Sequence, residues 1–376
     1  MNFNLSRYNI APVSFLLSYH LFLLVGLPIY LWHSLPSLTL MITTFFLVYI
    51  TGLSITAGYH RLYSHRTYKA HPLLEYFILF FGTMAAQGSV LRWSFDHRLH
   101  HAHVDTDKDP YSIKKGFWYA HMLWLLEKPR PIELTVVSDL AKNKLVMFQH
   151  RYYKPLVALT CALPVIVVGW VLGNFYEAFL FAFAVRLFVL HHCTWFINSL
   201  AHTWGDKPFC QEQSAVNNYI IALLTFGEGY HNFHHTYAND YRNGIKWFHF
   251  DPTKWVIWLL NQIGFAWDLK TVDTETISRR LIVARKQLLQ EKLEDLWYVK
   301  KDDLEKTVNQ LVETILEKLN DLNALRKQYR EFRKNYTEKN SLKNIKKELR
   351  QLHREIKEDL RAWKKLSKVI LQLQPL

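Results

Sequence analysis

The chain has 376 residues, half of them hydrophobic, and a formal charge of +14 at pH 7, with a mean hydropathy of −0.07. Those averages describe an ordinary soluble basic protein, but the chain is a composite. From Thr276 onward there are 25 Lys+Arg against 15 Asp+Glu, leaving 21 and 17 for the first 275 residues, and Cys161, Cys193 and Cys210, with no CxxC spacing, exclude a disulfide framework and a thiolate zinc site.

The first apolar run, Pro12 to Trp32, carries no charge and is not followed by a small-residue cleavage site, so it reads as a membrane span rather than a signal peptide. Further uncharged or nearly uncharged runs at Pro36 to Tyr59, Pro155 to Gly173 and about Phe175 to Leu200 make four predicted transmembrane helices. The links Trp32 to Pro36 and Gly173 to Phe175 hold no Lys or Arg, whereas His60 to Lys154 holds 14. The positive-inside rule therefore puts the large segment and both termini in the cytoplasm. A fifth run, Leu73 to Leu91, is about long enough to cross, but contains Glu75, Gln87 and two glycines. The patch Trp255 to Trp267 suits an interfacial or docked helix.

From about Thr276 the composition changes. Leu304, Val308, Leu311, Ile315, Leu322, Leu325, Tyr329, Phe332 and Tyr336 recur at steps of three and four, with Lys318 in the seam. After a polar stretch, Thr337 to Ser341, the pattern restarts at Leu342 and runs through Ile345, Leu349, Leu352, Ile356, Trp363 and Leu366 to Ile370. This predicts a helical hairpin or coiled coil with charged flanks. The expected organisation is a membrane domain over 1–275 and a basic helical extension over 276–376.

Eighteen of the 19 histidines precede that extension. Three clusters stand out: His60-Arg-Leu-Tyr-Ser-His65, His97-Arg-Leu-His100-His101 and His231-Asn-Phe-His234-His235, to which His202 is added. A single histidine is usually a packing or surface residue, but this repetition beside predicted membrane boundaries is a different signal. On a helix, i, i+3 and i+4 share a face, so each HxxHH has the spacing to aim three imidazoles at a common point. His60 and His65 are about 140° apart on an α-helix and converge only if the helix ends or turns between them. Nine imidazoles exceed the needs of one metal, so two metals is the natural count, and imidazole alone does not name the metal. A site shared by all clusters also requires that Leu73 to Leu91 not cross the bilayer.

At these residues the sequence resembles the membrane fatty acyl desaturase family, of the stearoyl-CoA desaturase type, over roughly Ile55 to Val272. The likeness lies in Gly58-Tyr-His-Arg-Leu-Tyr-Ser-His65, Trp93 with Asp96-His-Arg-Leu-His-His101, Asn198-Ser-Leu-Ala-His202, Gly227-Glu-Gly-Tyr-His-Asn-Phe-His-His235, Asp240-Tyr-Arg-Asn-Gly and Phe250-Asp-Pro-Thr-Lys-Trp255. It implies an all-α membrane protein whose four spans are capped by a cytoplasmic helical domain. That domain would hold two iron ions on His60, His65, His97, His100, His101, His202, His231, His234 and His235, with Asn198 acting through water.

The implied reaction uses O2 to remove two hydrogens from a saturated acyl chain, giving a cis double bond at Δ9. Trp93, Gln87 and Trp124 match positions bordering the acyl tunnel, and Asp96 matches an acidic residue near the headgroup. Phe95 replaces an arginine that many relatives have, leaving Lys114, Lys115, Lys128 and Arg130 as candidate coenzyme A contacts. Glu228 has the position of a residue that orients an imidazole, and Arg186 is an expensive charge within the fourth span.

The sequence contains no His-Pro-Gly-Gly haem motif. Electrons are therefore expected from a separate cytochrome b5 or ferredoxin with an NAD(P)H-dependent reductase. The other partners expected are an acyl-CoA or acyl-lipid substrate and membrane lipids, with no nucleic acid. The basic extension is expected to dock an acidic electron carrier or anionic lipid. A diiron hydroxylase, a metal transporter and an inactive scaffold are the competing readings.

Overall fold

The computed structural model describes residues 8–295, 301–334 and 339–373; Tyr336 of the seam and Thr337 of the polar stretch named above lie outside these. The described residues divide into two compact units, those within 8–207 and 212–271, and those within 208–211 and 272–373.

In the first unit, four helices are long and apolar enough to cross a membrane: Ile10–His33, Leu38–Ser64, Tyr153–Leu172 and Phe175–His202. This is a multi-pass membrane protein. Its short links follow from local chemistry. Ser37 caps the second span, accepting from the Leu40 amide at 3.2 Å. Gly173 takes the left-handed conformation after the third span, where a side chain would be strained. Asn174 then caps the fourth through the Glu177 amide at 3.1 Å. Stop and start signals thus occupy adjacent residues, and the chain reverses in one tight turn.

The fifth apolar run does not cross. Pro72–Met84 has 13 residues, about 20 Å of helix against a hydrocarbon core of about 30 Å. His71 caps it and Pro72 fills its first turn. Leu74, Ile78 and Leu79 are buried while Leu73, Tyr76 and Phe77 are exposed, so both faces are apolar and only one has a protein partner. That is the pattern of a helix resting at an interface. The sequence ends it at Ala86 and Gly88, both with positive φ. Ser89 then caps Val90–His103, which carries the second histidine cluster. Pro252–Gln262 is likewise short, with Asp251 as its cap and Trp255, Trp258 and Leu259 exposed.

The main departure from expectation is the end of the second span. It neither stops nor turns near Tyr59; it widens into a π-helix over Ser54–Ser64. The His65 amide donates to the His60 carbonyl at 3.1 Å, and Ser64 Oγ donates to the Tyr59 carbonyl at 2.7 Å, both five residues back. A helix with i→i+5 bonding brings residues five apart onto one face, so His60 and His65 converge without any break.

Arg186 is fully buried in the fourth span and reaches no carboxylate among the described residues. Its Nε donates to the Ala182 carbonyl at 2.8 Å and its Nη1 to the Met84 carbonyl at 2.9 Å. The guanidinium therefore sits at the negative end of the interfacial helix and ties that helix to the span.

The second unit contains Thr274–Glu294, Lys301–Lys334 and Lys339–Gln372. The last two form the expected hairpin, and the first adds Ile282, Leu289 and Leu293 to the same core, beside Val308, Ile315, Ile356 and Trp363. Lys318, the one charge in the seam, is paired with Asp359 at 2.7 Å.

Gly58 packs so closely on the interfacial helix that a Cβ there would overlap the Ile78 side chain. We expect Gly58→Ala to destabilise the protein by about 1–3 kcal/mol, seen as a lower melting temperature in detergent. Adding Ile78→Ala should recover part of that loss rather than deepen it, because the two changes share one contact.

Candidate metal centre

Four segments bring nine imidazoles together. The π-helical end of the second span supplies His60 and His65, Val90–His103 supplies His97, His100 and His101, the end of the fourth span supplies His202, and His231–Thr236 supplies His231, His234 and His235. They form two groups, His60, His65, His97, His101 and His234, and His100, His202, His231 and His235. Within each group the nitrogens lie within 4.8 Å of one another.

The clusters do not each serve one point, as their spacing first suggested. On an α-helix i and i+4 are only about 40° apart, while i+3 lies about 60° to the other side of i. Accordingly His97 and His101 stay together and His100 joins the other group; His231 and His235 stay together and His234 crosses over. Each HxxHH thus gives two imidazoles to one group and one to the other, which sets the two groups side by side. The His101 and His235 rings stack across the boundary with centroids 4.3 Å apart.

The Nε2 atoms face one another. His60 to His234 is 3.0 Å, His65 to His97 is 2.8 Å, and His234 to His101 is 3.0 Å. In the second group, His202 to His231 is 3.1 Å and His231 to His235 is 3.0 Å. Hydrogen bonding among neutral rings does not account for this, because one Nε2 has either a single proton or a single lone pair, and His234 has two such neighbours. Separations near 3 Å are instead those between adjacent ligands around a cation with metal–nitrogen bonds of about 2.1 Å.

The far side of the rings fixes the tautomers. His60 Nδ1 lies 3.1 Å from Glu228 and His100 Nδ1 lies 2.9 Å from Asp109. A carboxylate only accepts, so these nitrogens carry the proton and leave Nε2 with its lone pair pointing inward. His202 Nδ1 meets Ser214 Oγ at 2.7 Å, and Ser214 in turn donates to Asp105 at 2.5 Å. His97 Nδ1 meets the Tyr111 hydroxyl at 3.2 Å. Burial first, and neighbouring imidazoles after it, hold His97, His101, His231, His234 and His235 well below the ordinary imidazole value, in the neutral form that binds metal. The arrangement fits two cations.

Glu228 is itself held by Arg61 at 2.8 Å and by Asn243 at 2.5 Å. Burial alone would raise its carboxyl, but His60 and Arg61 outweigh that and hold it down at about 2. Arg61 also meets Asp251 at 3.0 Å. Sequence reasoning singled out Glu228 but missed Arg61, Asp251, Asp105, Asp109, Tyr111 and Ser214. The Asp105-Thr-Asp107-Lys-Asp109 run just after the second cluster was the available signal.

The other sequence-predicted residues are dispersed around this centre. Trp93 stacks on His97 with centroids 4.9 Å apart. Trp124 packs 4.9 Å from Tyr111, and its buried indole N–H has no partner among the described residues. Gln87 donates to Thr194 at 2.9 Å. Asp96 pairs with Arg92 at 3.2 Å, and burial lifts its carboxyl to about 6 against that pull. Phe95 is fully buried in the core. Asn198 lies half-buried one turn before His202.

Replacing Asp109 by Asn should lower metal affinity about 10–100-fold, read as metal per chain by mass spectrometry after dialysis against graded chelator. Asp268→Asn, which alters only a pair with exposed Lys69, should retain the parental metal content.

Residues 13–262 match the family model described as fatty acid desaturase. The chain is 42% identical over 289 residues to a probable acyl-CoA desaturase of Schizosaccharomyces pombe, covering 75% of this chain and 59% of that one. It is 39% identical over 279 residues to acyl-CoA desaturase 1 of Saccharomyces cerevisiae, covering 72% and 55%. Against an acyl-CoA desaturase of Ovis aries it is 40% identical over 239 residues, covering 62% and 67%. The chain thus spans rather more than half the length of the two yeast relatives. With most of its first unit inside the matched region and its histidine clusters converging there, the chain belongs to the fatty acid desaturase family.

Proposed function

We propose that the chain is an oxygen-dependent fatty acyl desaturase that introduces a cis double bond, at Δ9, into a saturated acyl chain carried most naturally as acyl-CoA. The observation that carries this is the pair of adjacent imidazole groups in a chain whose relatives are named acyl-CoA desaturases. The metal in this reading is iron, two ions, held by the five histidines of one group and the four of the other. Iron supplies from O2 the strong oxidant that an unactivated C–H bond demands, which redox-inert zinc does not.

In this reading Asn198 completes the four-histidine group through water. Asn198 and His202 are an i, i+4 pair on the fourth span, and the asparagine would be a weaker ligand to the four-histidine group than the fifth imidazole of the other group. The protein's own side chains then perform orientation and exclusion. Glu228, Asp109 and the Asp105–Ser214 pair hold three rings and offset cationic charge, while Trp93 walls one group with an apolar face.

The balance requires two electrons and two protons besides the two substrate hydrogens to take O2 to two waters. We assign the electrons to a separate donor, a cytochrome b5 or a ferredoxin served by an NAD(P)H-dependent reductase. The 14 Lys+Arg between His60 and Lys154 support a cytoplasmic face for the site. The metal-transporter reading is disfavoured because both spans that contribute histidines do so at their ends, not midway.

Expression in a desaturase-deficient host should restore unsaturated acyl chains two hydrogens lighter than the saturated precursor, with the double bond mapped to Δ9. His234→Ala should abolish the product. An added oxygen in place of the two-hydrogen loss would assign a hydroxylase instead, and product from His234→Ala would overturn the role of the centre.

A further inference from the structure

Lys339–Gln372 is a single helix of 34 residues, and its cations are not scattered. Lys343, Lys346, Lys347, Arg350 and Arg354 lie in its first half. Lys357, Arg361, Lys364, Lys365 and Lys368 continue in its second. At about 100° per residue all ten fall in an arc of roughly 100°, and between positions 343 and 368 every residue in that arc is Lys or Arg. All ten are exposed. None makes an ion pair or side-chain hydrogen bond among the described residues, whereas the seam lysine Lys318 is paired to Asp359. The opposite face carries Ile345, Ile356, Trp363 and Ile370 into the core of the helical unit. The stripe therefore points away from its own unit along about 38 Å.

We propose that this stripe docks on the anionic headgroups of a lipid bilayer. A line of like charges, unpaired over that length, repels itself and attracts anionic partners, and the geometry of the line selects among them. A protein epitope of ordinary size is about as broad as long and is anchored by buried aromatic or aliphatic groups, and the arc has no such anchor. Single-stranded nucleic acid wants aromatic platforms between the cations, and the arc has none of these either. A planar anionic surface asks only for point charges in register with it, and seven of the ten are lysine. The same chain has four helices long enough to cross a bilayer, so a lipid surface is tethered within reach and needs no encounter from solution. The proposal is independent of the desaturase reading.

The test uses the full chain reconstituted into nanodiscs of phosphatidylcholine alone, or with roughly a third phosphatidylserine, and footprinted with an uncharged lysine-acylating reagent read by mass spectrometry. In the anionic discs, labelling at Lys346, Lys357 and Lys364 should fall roughly fivefold, while exposed Lys306 and Lys327 of the neighbouring helix change little. Salt at about 0.5 M should remove the difference. In a variant with Arg350→Glu, Arg354→Glu and Arg361→Glu, the protection of the remaining lysines should weaken. Equal labelling in both discs overturns the proposal whether or not the variant folds. So does protection that appears in neutral discs only on adding an acidic protein or RNA.

Discussion

Arg61 is the interaction on which the site depends. It is almost fully buried, one residue after the first histidine, and its guanidinium meets Glu228 at 2.8 Å and Asp251 at 3.0 Å. Asp251 also caps Pro252–Gln262 through the Lys254 amide and accepts from the Asn243 and Gly244 amides. Glu228 reaches His60. One cation therefore fixes the end of a span, the approach to the third histidine cluster, the Asn243 turn and a helix start relative to one another. Breaking such a buried set by removing one partner costs about 3–5 kcal/mol, because the charges left behind stay out of water. Here it would also release His60 from the carboxylate that sets its tautomer.

The same logic runs through the rest of the first unit. Imidazole lone pairs turned toward one another are unfavourable until a cation lies between them, so the groups behind His60, His97, His100 and His202 hold those rings against that repulsion. Two carboxylates do this directly and a third does so through Ser214. The π-helix serves the same end by a backbone route, placing His60 and His65 on one face where an α-helix would separate them. Arg186, by contrast, meets no carboxylate among the described residues. It is held by backbone carbonyls, one of them at the end of the interfacial helix, which ties the element leading to the second cluster to the span that ends in His202.

Much of this was legible in the sequence for simple reasons. Uncharged runs longer than a bilayer is thick leave few alternatives, and the four spans lie within a few residues of where the runs placed them. The short interfacial helix was legible only indirectly, from the demand that separate clusters reach one side. The HxxHH spacing announced convergence, but its three-on-one-face reading was too coarse, since the difference between 40° and 60° on opposite sides of His97 sends its neighbours to different groups. Of the supporting residues Glu228 was legible, but the pairings were not, because Ser214 lies 109 residues from Asp105 and Asp251 lies 190 from Arg61. Separations of that size are decided by tertiary packing, which local pattern does not encode.

The charge of +14 that opens the sequence is best understood through where its cations find partners. In the membrane unit the buried arginines are consumed by carboxylates or helix ends, as Arg61 and Arg186 show, and histidine supplies polarity without charge. In the helical extension the seam tolerates one lysine because Asp359 and Glu355 answer it. Ten further cations on the last helix have no such answer within the described residues. A fold that pairs its cations wherever burial demands it, yet gathers ten exposed ones on a single arc, has separated charge that is structural from charge available to something outside. The basic average is thus chiefly a property of one helix face.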